Sequence, residues 1–260
     1  YDWVRDAFGD RWGARVAWYY WINFPLWIAS CATLFPDILG MVFGWEFGLV
    51  GKMLVELAFV WVVIAMSFSK VSDSAWILNG GAVLKVGIAV VVGCLGIWFA
   101  ADNGFANDMS PATFLPDLAS TSAISNLSVI LFNFMGFEVI CTFAGSMRDP
   151  EKDIPKAIIL GGIAIAAIYL FASFGIGASD SIDPDFGMIV AVRAMVGDSA
   201  VFKAIALVFL VTLFANMASW SFGVNFVADY AAKHSNMPAV FARESQKTEM
   251  PNGAAVVDGV

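Results

Sequence analysis

The chain has 260 residues, of which 60% are hydrophobic and only 14% are charged, and its net charge is −8. Its hydrophobic fraction exceeds that of soluble domains, and its apolar runs reach the roughly 20 residues that a helix needs to cross a bilayer. The composition therefore predicts an all-α polytopic membrane protein in contact with the lipid bilayer. It argues against nucleic acid as a partner, because no basic patch with interleaved aromatic residues is present.

Six apolar segments are predicted to span the bilayer as helices, at residues 14–39, 49–67, 78–101, 123–147, 155–178 and 201–231. A short amphipathic segment precedes them, and the apolar residues after Pro251 look like the opening of a seventh span. No linker divides the chain, so we expect a single transmembrane domain over residues 1–260. Tyr1 is not a start methionine and Val260 ends within a pattern, so we expect a piece of a longer protein.

Basic residues are distributed unevenly between the two sides of these spans. Ten lysines and arginines lie on one side, before or at the start of the first span, between the second and third, between the fourth and fifth or at the start of the fifth, and after the sixth. Three lie on the other side, and only Lys85 lies deep within a span. By the positive-inside rule, the side with ten cations is cytoplasmic. The expected location is the cell membrane, plasma or inner, with multiple crossings.

The first span contains polar and kinking residues in an otherwise apolar helix. Asn23 lies near its middle, where an amide either hydrogen-bonds a neighbouring helix or contacts a substrate. Pro25 removes one backbone donor and is expected to bend the helix. The sequence leaves both roles of Asn23 open.

Lys85 lies about eight residues into the third span, which corresponds to roughly 12 Å along the helix axis. This depth is too great for an ordinary interfacial anchor. The side chain either extends back to the cytoplasmic boundary, as long lysines do, or has a role inside the protein.

The fourth span places an acid at membrane depth. Gly136 and Glu138 lie in its middle, where a charge costs roughly 2.5 to 3.5 kcal/mol on insertion scales and indicates a functional residue by default. Gly136 is a natural place for a helix break, whose unpaired carbonyls and amides can bind a substrate or an ion. The alternative is that Gly136 permits close helix packing.

Several ordered motifs resemble those of amino acid–polyamine–organocation permeases. The run Phe132-Asn133-Phe134-Met135-Gly136-Phe137-Glu138, followed by RDPEKDIPKAI at residues 148–158, is similar to that family's sixth helix and the loop after it. Residues 3–12 resemble the start of its helix three, and residues 220–241 resemble the end of its helix eight. The resemblance implies helices three to eight of twelve, within an inverted-repeat (LeuT-like) transporter fold of two five-helix repeats. Helices one, two and nine to twelve would then be absent from this chain.

The resemblance also implies a substrate site at the break. Carbonyls around Phe132 and Met135 would accept hydrogen bonds from the substrate amino group, Gly136 would permit the unwinding, and Phe132 would form an aromatic lid. Glu138 matches an acid that links helix six to its neighbours and responds to substrate or protons. The ordinary alternative for Phe132 is core packing.

Two further positions match the family outside the fourth span. Trp220 corresponds to an aromatic residue near the pocket, although interfacial anchoring is the common role of membrane tryptophans. Lys85 corresponds to a lysine whose ammonium occupies the place of sodium in sodium-coupled relatives. The resemblance therefore implies transport that does not need sodium, and Lys85 could also exchange a proton during the cycle.

The resulting prediction is a secondary active transporter, a permease for amino acids or related amines, working by alternating access and driven by protons or by substrate exchange. A sodium-coupled carrier of the same fold and a transporter-like amino-acid receptor or sensor are the alternatives. An enzyme is not indicated, because there is no nucleophile and base pair, no metal cluster and no phosphate-binding loop. No cofactor or metal is expected. The oligomeric state is open between a monomer and a homodimer, because lipid-facing and partner-facing apolar surfaces look alike in sequence.

Overall fold

The computed structural model describes residues 1–108, 110–115, 121–134, 136, 140–141, 144, 147–178 and 187–260. In these residues the regular structure is helical, with no strand. The α-helices are α1 (Asp2–Phe8), α2 (Asp10–Phe43), α3 (Leu49–Ser67), α4 (Val71–Asn103), α5 (Thr121–Asn133), α6 (Pro150–Ala178), α7 (Gly187–Val196), α8 (Ala200–Lys233) and α9 (Asn252–Asp258).

Five of the helices in the described residues, α2, α3, α4, α6 and α8, are long and apolar enough to cross a membrane. The all-α fold class is thereby confirmed. Where each helix enters and leaves the bilayer stays a prediction. The predicted span 123–147 begins within α5, and most of its second half lies outside the described residues.

Helix α6 begins five residues earlier than the predicted span 155–178. Pro150 is its first residue, where the missing N–H of proline costs nothing because that position has no intrahelical acceptor. Pro155 lies inside the helix rather than in its first turn. Acidic Glu151 and Asp153 in the first turn are favourable, since the helix dipole is positive there.

The chain divides into two compact units, with boundaries inside α4 and α8. Unit 1 comprises residues 1–85 and 206–260, and unit 2 comprises residues 86–205. Unit 1 has a core of buried side chains from α2, α3, α8 and α9, which include Phe24, Ile28, Val63, Met217, Val224 and Ala254.

Two contacts position the helices of unit 1. Gly81 of α4 lies so close to α8 that a Cβ added there would be 2.2 Å from the Cβ of Ala215. Small residues such as Gly81 at a helix crossing allow the backbones to approach, which is how membrane helices gain packing energy in the absence of a hydrophobic driving force. At the other end of the spans, on the predicted outer side, Lys52 of α3 forms an ion pair of 2.6 Å with Asp37 of α2.

In unit 2, α4 and α6 approach even more closely. A Cβ on Gly96 would lie 1.9 Å from the carbonyl oxygen of Gly175, and a Cβ on Gly93 would lie 2.3 Å from the ring of Phe171. The short helix α7 ends in an ion pair between Arg193 and Asp198, with Nε 2.7 Å from Oδ1. This hydrogen-bonded guanidinium lowers the pKa of the exposed Asp198 carboxyl.

Candidate functional site

The candidate residues of unit 1 follow one face of α2. Tyr20, Asn23, Trp27 and Cys31 are spaced at i, i+3, i+7 and i+11, which places them in one stripe along the helix. The stripe is about 16 Å long, at 1.5 Å per residue. Pro25 lies within this part of α2. The positions of the other unit 1 candidates, Lys85 and Trp220, are described below relative to this stripe.

Trp220 of α8 lies at the Tyr20 end of the stripe. The two ring centroids are 6.1 Å apart with an interplanar angle of 41°. Trp220 is half-buried, and its indole Nε1 is buried without a hydrogen-bond partner among the described residues. The site therefore offers an aromatic face and an unused N–H donor at the same place.

Lys85 of α4 lies at the Cys31 end of the stripe. The ammonium and the Cys31 thiol are close enough to interact electrostatically. Lys85 is exposed in this chain, and so are its apolar neighbours Leu84 and Val86. A cation in such an apolar stretch has no described carboxylate as an ion-pair partner.

Asn23 lies between these two ends, on the same face of α2. It is half-buried, and its side chain makes no hydrogen bond to any described residue. The interhelical bond that was one of its two expected roles is not found in that part of the chain.

The second group of candidates belongs to unit 2, where α5 ends at Asn133. The amide of Phe134 still donates to the carbonyls of Ile130 and Leu131, both at 3.2 Å. Gly136 then has φ 113°, a conformation that residues with a Cβ rarely adopt. The backbone at Gly136 therefore departs from helical geometry, which supports the expected break.

The aromatic residues near this break have different surroundings. Phe132 is half-buried in the last turn of α5. Phe134 packs edge-on against Tyr169 of α6, with centroids 5.7 Å apart and an interplanar angle of 72°. Met135 and Glu138, two of the predicted site residues, lie outside the described residues.

The sequence predictions missed a buried polar network in unit 1. Trp21 Nε1 donates to Asp258 Oδ1 at 2.8 Å, linking α2 to α9. Asn225 Nδ2 of α8 donates to Ser221 Oγ at 3.1 Å, and the Ser221 hydroxyl is 2.6 Å from that of Ser67 on α3. Each of these five residues is less than 10% exposed. An Asp inside the apolar run after Pro251 was the available signal, since intramembrane acids are rare.

A second missed cluster lies at the end of α8. Lys233 Nζ is 2.8 Å from Asp229 Oδ2 and also forms an ion pair with Glu244. Asp229 is 4% exposed. The i, i+4 spacing of Asp229 and Lys233 was visible in sequence, but the third member, Glu244, follows α8 in a loop and could be placed only by the tertiary structure.

These long apolar helices, with a backbone break and buried polar groups among them, define a polytopic membrane protein. The sequence model of the amino acid permease family matches residues 1–260, and the chain belongs to that family. The resemblance described above is therefore confirmed. This family and the relatives below are transporters and not enzymes.

Three relatives illustrate the range of the family. The chain is 46% identical to a probable agmatine/putrescine antiporter of Lactococcus lactis subsp. lactis, over 100% of this chain and 57% of that protein. It is 26% identical to a serine/threonine exchanger of Bacillus subtilis, over 68% of this chain and 39% of that protein. It is 18% identical to a glutamate/gamma-aminobutyrate antiporter of Lactococcus lactis subsp. cremoris, over 100% of this chain and 54% of that protein. The chain thus spans about half the length of these relatives or less.

Proposed function

We propose that the protein containing this chain is a secondary active transporter that exchanges organic amines across the cell membrane. The observation that carries the proposal is the 46% identity to a probable agmatine/putrescine antiporter over the whole chain. The mechanism is alternating access, in which one group of helices moves relative to another around a central site.

The chemistry of the candidate residues is compatible with a cationic substrate. An ammonium or guanidinium group is attracted to the faces of aromatic rings, by about 0.5 to 2 kcal/mol depending on desolvation. Tyr20 and Trp220 present such faces in unit 1. In unit 2, backbone carbonyls freed by a helix break near Gly136 accept hydrogen bonds from amino groups, and we propose Phe132, Met135 and Glu138 as substrate contacts at that break.

The Nε1 of Trp220, which has no hydrogen-bond partner among the described residues, bears on whether the substrate is an amine or an amino acid. An indole N–H is only a donor, so its partner on the substrate is an acceptor such as a carboxylate. An amino-acid substrate is therefore the second candidate, and the exchangers for serine/threonine and for glutamate/gamma-aminobutyrate are relatives of that type.

Lys85 supports exchange or proton coupling over sodium coupling. Its side chain lies within α4, at the Cys31 end of the α2 stripe. If its ammonium replaces sodium, transport proceeds without sodium. Asn23, between Lys85 and Trp220 along α2, is the polar residue that we propose as a further substrate contact.

The test is uptake into proteoliposomes that contain the full-length protein. Vesicles are loaded with unlabelled agmatine, putrescine or an amino acid, and labelled substrate is added outside with and without sodium and with and without a proton gradient. Sodium-independent uptake of labelled amine that requires internal amine supports the proposal. Strict sodium dependence supports the sodium-coupled alternative instead, and tight binding without accumulation supports a receptor or sensor. The same purified protein, measured by light scattering in detergent, distinguishes a monomer from a homodimer.

A further inference from the structure

Asp258 is a buried acid whose hydrogen bonds are incomplete. Asp258 is 6% exposed, and its Oδ1 accepts a hydrogen bond of 2.8 Å from the indole N–H of Trp21. Its second oxygen, Oδ2, is buried without a hydrogen-bond partner among the described residues. Asn225 is the other side chain that lies against this carboxyl. An ionised carboxylate in such surroundings would have one oxygen desolvated and unpaired, which costs several kcal/mol.

The hydroxyl groups next to Asn225 set the direction of its hydrogen bonds. Ser67 lies within hydrogen-bond distance of the carbonyl oxygen of Val63, at 3.3 Å, and of the Ser221 hydroxyl, at 2.6 Å, where either hydroxyl can donate. Ser221 Oγ accepts from Asn225 Nδ2 at 3.1 Å. The amide oxygen of Asn225, Oδ1, is buried without a donor among the described residues.

Two buried acceptors at this junction, Asp258 Oδ2 and Asn225 Oδ1, thus have no donor in the part of the chain that the structure describes. A single proton on Asp258 would add a donor to this group of acceptors, since a protonated carboxyl has one O–H donor. Asn225 already lies against the carboxyl; burial favours the neutral form of Asp258 more than the hydrogen bonds of Asn225 and Trp21 favour the ionised form.

We propose that Asp258 is a proton-binding site, a neutral carboxylic acid that joins α9 to α2 and α8 in the folded protein. The proton is held as long as α9 stays packed against Trp21 and Asn225. Separation of α9 from these helices would hydrate the carboxyl and release the proton. This inference concerns the junction of α2, α8 and α9 and does not depend on which substrate is transported.

The charged groups on the neighbouring elements do not replace this proton. They are Asp10, Arg11, Arg15 and Asp37 on α2, Lys52 and Glu56 on α3, Lys203, Asp229 and Lys233 on α8, and Arg243, Glu244, Lys247 and Glu249 in the segment before α9. Among the described residues, none of them acts electrostatically on the Asp258 carboxyl, whose interactions are with Asn225 and Trp21. Lys233 is occupied by Asp229 and Glu244, and Lys52 by Asp37.

Asp258→Asn is the decisive variant, because an amide keeps an acceptor for Trp21 and supplies the donor that the proton would supply. We expect the Tm of full-length D258N in detergent to stay within about 2 °C of wild type near neutral pH. Asp258→Ala, which leaves the Trp21 N–H without an acceptor, should lower the Tm clearly. Asp229→Asn is the matched control: it is an equally buried acid, but its partner is the Lys233 cation, so we expect neutralisation there to lower the Tm by about 4 °C or more.

Two further readouts address the proton itself. The infrared carbonyl band of a protonated carboxylic acid should be present in wild type at neutral pH and smaller by one group in D258N. In wild type the native state retains a proton that the unfolded chain releases above about pH 4, so stability falls as pH rises from there towards neutrality. D258N should lack this part of the slope. A Tm loss in D258N equal to that of D229N, or an unchanged infrared band, would overturn the proposal.

Discussion

The contact between α4 and α6 gives a prediction whose size follows from the structure. Gly96→Ala would place a Cβ 1.9 Å from the carbonyl oxygen, 2.3 Å from the carbonyl carbon and 2.4 Å from the Cα of Gly175. All three are backbone atoms, so no side chain can rotate away. To restore ordinary contact at 3.4 Å or more, the helices must separate by about 1.5 Å at this point, which loses dispersion contacts along the crossing.

We expect this substitution to cost at least the upper end of the overpacking range, about 3 kcal/mol. At the roughly 2 to 4 °C per kcal/mol that applies to chains of about 150 to 250 residues, that corresponds to a fall in Tm of roughly 6 to 12 °C. The assay is thermal unfolding of the full-length protein in detergent, followed by circular dichroism. The matched control is Gly87→Ala on the same helix, where an added Cβ meets nothing within 4 Å and the higher helix propensity of alanine is favourable. Equal Tm values for G96A and G87A would refute the argument, because both variants make the same chemical change.

Three functional predictions use the proteoliposome exchange assay. Trp220→Phe keeps an aromatic face but removes the indole N–H, so we expect its amine exchange rate to stay within about threefold of wild type. Trp220→Leu removes the aromatic face and should lower the exchange rate about tenfold or more. Equal losses in the two variants would contradict a cation–π role. Gly136→Ala forces a Cβ onto a backbone with φ 113°, which costs roughly 1 to 3 kcal/mol of strain, so we expect it to abolish most exchange. The control Gly161→Ala has open space around the added Cβ and should transport normally. The prediction is wrong if both variants transport normally. Lys85→Ala should reduce sodium-independent exchange by about tenfold, equivalent to about 1.4 kcal/mol. The control Lys52→Ala removes a partly exposed ion pair and should change exchange little. Unchanged uptake and unchanged pH dependence in K85A would refute the proposed role of this lysine.

The class of the protein was predictable from sequence, whereas the ends of its helices were less so. The helical class follows from hydrophobicity, because backbone groups in hydrocarbon must be paired within the segment. The ends of helices depend on individual residues, such as a proline at the first position or acids in the first turn, which a hydropathy pattern does not reveal. Pro150 and the acidic residues after it extend α6 into a charged segment that was predicted as a loop.

The candidate site was predictable only in part. The motif around Gly136 indicated a break, and the positive φ of that glycine supports it. Trp220 and Lys85 were both singled out, but sequence could not indicate that they lie at opposite ends of one stripe on α2. That arrangement depends on how α4 and α8 pack against α2, which involves contacts between residues far apart in the chain.

The sequence by itself determined that this is an all-helical membrane protein of the permease family, because hydrophobic composition and ordered local motifs are properties of contiguous residues. Only the tertiary structure decided which buried polar groups meet. Trp21 and Asp258 are separated by 237 residues and yet share one hydrogen bond. In an apolar interior an unpaired polar group is costly, so each such residue requires a partner, but the identity of that partner is set by helix packing and not by local sequence.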